Sequence, residues 1–349
     1  MKHLSNDTET YFASANSFKG FKSNFAVAFD PEMFDRIYIL KGGPGTGKSS
    51  LMKRIGEVFE TEKYRVTKLL CSSDPASLDG VIVSKNGKKI AIIDGTAPHM
   101  TDPQFPGACE KIINLTDALN YSALTGQKTE ISSLSKNKKE SYSKAYRYLN
   151  AAGNIYDDIW DIIKKSKVYT EAERICDSIL GYELFVKAKE KMIDFYYLSA
   201  FGKDGYVRLD IPCIEKEYIS VKGDGFTEYI VMRGVYEKLI SDSVLLTAAR
   251  SPLNDKDIDA LTTESSIIAT DNVGSLVFDT TPLSLFFDRE YYELVVAYRN
   301  MLHLAQSYFK SAAEYHFSLE RIYTGNIDFS YNDQCVKEIE NEMKEIFSQ

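Results

Sequence analysis

Two hydrophobic periods alternate along this chain. Short apolar runs of strand length come first: RIYIL (36–40), YRVTKLL (64–70) and KIAII (89–93). Between the first two lies SSLMKRIGEVFE (49–60), a segment with apolar residues at helical spacing. Strands alternating with a helix predict a largely parallel α/β sheet. SKNGKK (84–89) separates VIV from IAII and predicts a hairpin with Asn86-Gly87 at its tip. From about 110 to 190, and again from 289 to 349, the apolar residues recur at helical spacing and include many Tyr and Phe. These stretches predict helical hairpins that pack on each other or on the sheets.

The pattern occurs twice. YFASANSFKGF (11–21) resembles YYLSAFGKDGY (196–206), and IYILKGGPGTGK (37–48) resembles YISVKGDGFTEY (218–229). SSDPASLD (72–79) and IAIIDGTAP (90–98) have counterparts in RSPLNDKD (250–257) and SIIATDNVG (266–274). The landmark pairs Tyr11/Tyr196, Gly42/Gly223, Pro75/Pro252 and Asp94/Asp271 keep one order and lie 177 to 185 residues apart. An internal duplication of a whole domain accounts for this. The expected organisation is an α/β domain at 1–109, a helical region at 110–190, a second, degenerate α/β domain at 191–288 and a C-terminal helical region at 289–349.

One stretch carries recognisable chemistry. GGPGTGKS, with Gly42, Gly43, Pro44, Gly45, Thr46, Gly47, Lys48 and Ser49 followed by Ser50, satisfies G-x-x-x-x-G-K-[ST] between a strand and a helix. Glycines let the backbone curl so that successive N–H groups face one anion, and the helix start adds its positive end. In such a loop Lys48 would bridge the β- and γ-phosphates of a nucleotide, and the Ser49 hydroxyl would ligate Mg²⁺. A strand ending in a carboxylate should follow to hold the Mg²⁺ shell, and KIAIID supplies Asp94. The next residues, Gly95 to His99, include no Glu to polarise an attacking water. Asp74, Asp79 and His99 are the substitutes, with Asp74 expected on the same rim. Asp74 also reads as a helix N-cap with Pro75 at the first helical position. The second copy, KGDGFTEYI, lacks the Lys and Ser/Thr and puts Phe226 and Glu228 among the glycines, so it should not hold a nucleoside triphosphate. Arg250 is a candidate arginine finger. The absence of an N-K-x-D motif on a later strand favours ATP over GTP.

Bulk properties narrow the classes. The chain has 349 residues, 44% hydrophobic and 26% charged, enough for two packed domains. A net charge of −8 and a pI near 5.3 argue against a large nucleic-acid surface. The basic run 135–150 reads as a solvated helix face. Five scattered cysteines without a CxxC pair, a polar N-terminal stretch and no apolar run of spanning length point to a cytoplasmic protein without a membrane partner.

At ILKGGPGTGKSSLMKRIG, CSSDPASLDGV and IAIIDGTAPH the sequence resembles an uncharacterised family of tandem P-loop proteins of Gram-positive bacteria, described as putative ATPases or nucleotide-binding proteins. The resemblance implies a P-loop NTPase-type fold, duplicated, with helical appendages, and ATP binding at 42–50. The expected function is a Mg²⁺-dependent ATPase or ATP-driven switch with one live site. The alternatives are a small-molecule kinase and a non-hydrolysing nucleotide sensor. The partner, a small molecule or a protein, is not specified by the sequence.

Overall fold

The computed structural model describes residues 8–182, 196–211, 216–242, 247–271, 273–283, 285 and 288–349. The N-terminal half contains strands β1 (Thr8–Phe12), β2 (Ser14–Ser17), β3 (Gly20–Ser23), β4 (Arg36–Lys41), β5 (Arg65–Leu70), β6 (Leu78–Lys85), β7 (Lys88–Asp94) and β8 (Glu110–Asn114). Its helices are α1 (Phe25–Ala28), α2 (Lys48–Thr61), α3 (Tyr121–Gly126), α4 (Lys128–Lys165) and α5 (Val168–Tyr182). The C-terminal half contains β9 (Ser199–Gly202), β10 (Gly205–Arg208), β11 (Glu217–Lys222), α6 (Thr227–Ser241), β12 (Thr247–Arg250), β13 (Ile258–Thr262), β14 (Ser266–Ala269), β15 (Leu276–Asp279), α7 (Arg289–Thr324) and α8 (Phe329–Ser348).

The first sheet has the order β1-β5-β6-β7-β4-β8. Only β6 runs against the others, because the Asn86-Gly87 hairpin returns the chain directly into β7. Both residues take positive φ (52° and 80°), as a two-residue hairpin turn requires. The sheet is therefore mixed, not purely parallel. Strand β4 is buried along its centre, which explains its unbroken apolar run. The second sheet has the order β12-β13-β14-β11-β15, with β13 alone reversed. Strand by strand this is the order and sense of β5-β6-β7-β4-β8.

The registers correct two sequence alignments. Ile93 pairs with Ile39 and Gly80, and Ala269 occupies the same ladder place, with Ser220 and Ala260 as its partners. Asp94 therefore corresponds to Thr270, one residue before Asp271. The turn after β5 matches through Asp74 and Asn254. Each accepts the N–H two residues on at 3.3 Å, and Ser77 and Asp257 donate back to their carbonyls. Pro75 thus corresponds to Asp255, not Pro252. No helix starts at Asp74: its side chain closes a turn, so the N-cap expectation is overturned. The helical region does not begin at 110 either, since Glu110–Asn114 is the edge strand β8, paired with β4.

The helices cross between the halves. α4 and α7 pack antiparallel along their length. Tyr142 and Tyr146 meet Phe309, Tyr148 stacks on Tyr308, and Tyr156 meets Tyr298. Beyond them α5 covers α6: Val168, Ala172, Cys176 and Ile179 join Val231, Val235 and Leu239 in one core. α8 covers α2, with Cys335, Val336, Ile339 and Met343 against Leu51, Met52, Ile55 and Phe59. Each helical segment so caps the α/β unit of the other half, where simple appendages were expected. The strand hairpins cross in the same way. Phe18 donates to Leu253 O at 3.0 Å and Lys22 pairs with Asp255, while Lys203 pairs with Asp74 at 3.5 Å. Phe12 and Tyr197 exchange both backbone hydrogen bonds, at 2.9 and 2.8 Å. Residues 183–190 of the expected helical region and Cys213 lie outside the described residues; the four described cysteines are free. No described helix is long and apolar enough to cross a membrane.

The cover of α2 by α8 generates a stability prediction. Ile339 is 1% exposed in the α2–α8 core. Ile339→Ala should cost about 2–5 kcal/mol in urea or thermal unfolding, as for other buried Ile truncations. The exposed neighbour Lys337→Ala should stay within about 0.5 kcal/mol of wild type.

Candidate functional site

The loop between β4 and α2 opens at the carboxyl end of the first sheet. Gly45 and Gly47 have φ of 69° and 83°, values that side-chain-bearing residues rarely adopt, and Gly47 is the N-cap of α2. Thr46 is fully buried and its hydroxyl donates to Gly43 O at 2.9 Å, which fixes the curl. Lys48, the first residue of α2, folds back over the loop and donates to Gly42 O (2.8 Å) and Gly43 O (2.9 Å). Its ammonium lies 3.7 Å from Asp94 Oδ2 at the end of β7. Ser49 Oγ accepts the N–H of Leu78 at 3.0 Å, which ties α2 to the start of β6. Pro44 is half-buried and Ser50 is exposed.

Asp94 is held from its other side. Its Oδ1 accepts Thr96 N–H at 2.9 Å and the Thr96 hydroxyl at 2.5 Å. Its Oδ2 therefore faces Lys48 with a fixed orientation. The residues present suit a small hard cation: Ser49 and Asp94 offer a hydroxyl and a carboxylate oxygen, the donor types Mg²⁺ prefers, while phosphates and waters ordinarily supply the rest of its shell. Among the described residues no cluster of three or more His, Cys, Asp or Glu is placed to hold a metal ion on its own.

The other sequence candidates fall elsewhere. Asp74 is committed to its own turn and to Lys203 of the second half. His99 and Asp79 do come together, Nε2 to Oδ2 at 3.1 Å, but both are buried. His99 also stacks on Phe25 (4.0 Å) and lies 3.4 Å from Ser23 Oγ. Phe25 belongs to the core on the sheet face away from α2, so this pair anchors the loop after β7 on that side. Arg250 donates to Asp255 O (2.7 Å) and to Tyr236 OH (2.8 Å), and it stacks over the Tyr236 ring. Its guanidinium is bonded within the second half.

Several residues at the loop were not anticipated. The end of α7 and the start of α8 roof it. Asn332 Nδ2, buried on the apolar stripe of α8, donates to Thr46 O at 2.8 Å. A Cβ on Gly45 would lie 2.6 Å from Glu320 O, and one on Gly43 would touch the Tyr323 ring at 3.6 Å. Thr324 Oγ1 reaches Gly45 O at 3.4 Å. The Glu320 main chain thus lies against Gly45, and Lys48 is near enough for its charge to act on the Glu320 carboxylate. A hydrogen bond from His316, 3.5 Å away, is the main cause holding Glu320 below the usual carboxylate range. The positive charges of His316 and Lys48 add to it, against partial burial. Lys138, in the run expected to be a solvated face, is half-buried on α4. Burial, then the charge of Lys48, pushes its pKa down, and Glu320 opposes the shift. A polar Asn on an apolar helical stripe was the one sequence signal for this roof; Glu320 and Lys138 gave none.

The second loop, Gly223–Phe226, is closed by its own side chains. Glu228 accepts the Gly225 N–H with both oxygens, at 3.0 and 3.1 Å. Asp224 Oδ1 accepts Phe226 N–H, Thr227 N–H and the Thr227 hydroxyl at 3.0–3.1 Å. Phe226 is buried among Tyr156, Tyr291 and Tyr298. Burial, reinforced by the charge of Asp224, raises the pKa of Glu228 to about 7.

Comparison with known proteins finds no matching family model, no similar curated protein and no similar solved structure.

Glu228 generates a pH prediction. Its folded pKa of about 7 exceeds the unfolded value of 4.5, so the native state binds the extra proton between those values. Stability from this group is complete below about pH 4.5 and is lost as pH rises through 7. Replacing it by Gln removes the dependence. The stability of Glu228→Gln relative to wild type should rise between pH 4.5 and 7, by up to about 3 kcal/mol, and then level off. Thermal melts across that range check this; a difference independent of pH would contradict it.

Proposed function

We propose that this protein binds Mg·ATP at residues 42–49 and acts as an ATP-driven switch with slow hydrolysis, its second loop being inactive. The observation that carries the reading is the pairing, at one sheet edge, of a glycine loop at a helix start with Lys48 and Asp94, 3.7 Å apart. Loop N–H groups and the end of the α2 dipole favour a polyphosphate, and Lys48 can exchange its two carbonyl partners for phosphate oxygens. Ser49 and Asp94 would hold Mg²⁺, directly or through water, and the ion would neutralise charge on the β- and γ-phosphates.

Slow turnover follows from the residues after Asp94. Gly95 to His99 contain no carboxylate, and His99 is buried against Asp79. Asp74 keeps the part of a secondary candidate for orienting water or an acceptor hydroxyl, and it would first have to leave Lys203. The order and sense that the five strands of the second sheet share with five of the six in the first support an origin by duplication of a P-loop-type domain. The internal closure of the second loop by Glu228 and Asp224 supports its loss of nucleotide binding. A switch is favoured over a kinase because α7 and α8, which join the two halves, touch the loop directly.

Calorimetric titration with ATP and GTP in Mg²⁺, followed by assay of free phosphate, tests this. Wild type should bind ATP in preference to GTP, and phosphate release should stay well below one turnover per second. Lys48→Ala should weaken binding at least tenfold. Asp94→Asn should lose the Mg²⁺ dependence of binding while keeping affinity for metal-free nucleotide. Nucleotide binding that ignores both substitutions would overturn the assignment.

A further inference from the structure

Each strand hairpin meets a turn of the opposite half, and the two joints differ in charge. Strands β2 and β3 pair Ser17 with Gly20, and β9 and β10 pair Gly202 with Gly205, so Phe18 and Lys19 take the places of Lys203 and Asp204. At the turn 72–77 the tip is closed by ion pairs: Lys203 meets Asp204 at 2.8 Å and Asp74 at 3.5 Å. A Cβ on Gly202 would lie 3.0 Å from Ser72 O, so the two chains touch there. At the other joint Phe18 donates its N–H to Leu253 O at 3.0 Å and turns its ring to Tyr156 and Tyr298. Beside it lies a cavity of 310 Å³, bounded by the β2–β3 tip, α4 and residues 253–256. That volume is within the range of small-molecule sites, which occur preferentially between domains.

The lining is charged and only partly paired. It holds three lysines, Lys19, Lys22 and Lys256, against two aspartates, Asp157 and Asp255. Lys19, Asp255 and Lys256 stand where the other joint has Asp204, Pro75 and Ala76. Lys22 pairs with Asp255 Oδ2, while Asp255 Oδ1 is buried and accepts no hydrogen bond among the described residues. A buried acceptor without a donor is costly, so a donor brought to it is favoured. Among the described residues no carboxylate pairs with Lys19 or Lys256, and no cation pairs with Asp157. Burial, then the charges of Lys19 and Arg250, pushes the Lys22 pKa down, as expected where cations are in excess. We infer that this cavity is a second ligand site, for a small phosphate ester that carries hydroxyl groups: Lys19 and Lys256 take the phosphate, and Asp157 and Asp255 Oδ1 accept from the hydroxyls. Two unpaired ammonium groups suit a phosphate dianion, and hydroxyls supply donors without adding charge. Such a ligand bridges the β2–β3 tip and α4 of the first half to the turn 253–256 of the second. The site is independent of the nucleotide reading of loop 42–49.

Calorimetric titration of the full chain with ribose 5-phosphate, inorganic phosphate and ribose tests this. Ribose 5-phosphate should bind wild type about tenfold or more tighter than inorganic phosphate, and ribose should give no measurable binding. Lys19→Ala and Lys256→Ala should each weaken ribose 5-phosphate about tenfold, the loss of one charge-assisted hydrogen bond. Asp157→Ala should narrow the preference over inorganic phosphate. Lys48→Ala should leave ribose 5-phosphate binding unchanged, which separates this site from loop 42–49. Lys19, Lys256 and Asp157 are exposed, so these variants should fold, and a melt of each establishes it. No binding of ribose 5-phosphate to wild type would overturn the site. So would binding that is lost in Lys48→Ala but kept in both lysine variants of the cavity, or equal affinity for inorganic phosphate.

Discussion

The bare glycines of loop 42–47 are the constraint on which the rest of the arrangement depends. Gly45 and Gly47 need positive φ for the curl, and the room left by their missing side chains is taken by α7 and α8. The same absence of Cβ atoms that lets a loop wrap an anion lets Glu320, Thr324 and Asn332 come onto its backbone. Any side chain at Gly45 would therefore strain the loop and also lift the C-terminal helices from the first half. Nucleotide chemistry, on the proposed reading, and the joining of the two halves share one surface.

That sharing explains why the helices cross. If α4 and α5 packed on their own half, the loop would be roofed by its own chain neighbours, and occupancy would be a local matter. Because α8 covers α2 and α5 covers α6, each half is completed by the other. The long antiparallel pair α4–α7 then joins the two loops mechanically: Tyr156 and Tyr298 reach Phe226 of the second loop, and the Glu320 main chain lies against Gly45 of the first. Packed aromatic rings line the pair between them. The second loop, closed by Asp224 and Glu228 and filled by Phe226, is suited to be the fixed end of such a lever.

The local code of the first half was legible in the sequence because it is written in short range. RIYILK, the helix after it, Asn86-Gly87 and KIAIID became β4, α2, a hairpin turn and β7 where their patterns placed them. The reversed β6 was implied by the same hairpin, and the word parallel passed over it. Asp74 misled because Asp-Pro serves a helix cap and a turn equally; the next few residues decide between them, and here the chain goes straight into strand β6 at Leu78. The alignment of Asp94 with Asp271 failed by one residue, since identity of type cannot see ladder register. The roof was illegible for a different reason. Glu320 and Lys138 lie on helices whose periodicity says only that they are amphipathic. Glu320 meets Gly45, 275 residues earlier in the chain, and nothing local records which half a helix will cover. Asn332, polar on a stripe of Cys335, Val336, Ile339 and Met343, carried a signal of a buried partner that went unread in the sequence.

A structure with Mg²⁺ and a non-hydrolysable ATP analogue bound would test the central claim most directly. The account predicts β- and γ-phosphates on the N–H groups of residues 45–49 and the metal at Ser49 with Asp94 in its shell. A nucleotide bound elsewhere, or one in the loop with no metal at Ser49 and Asp94, would contradict it.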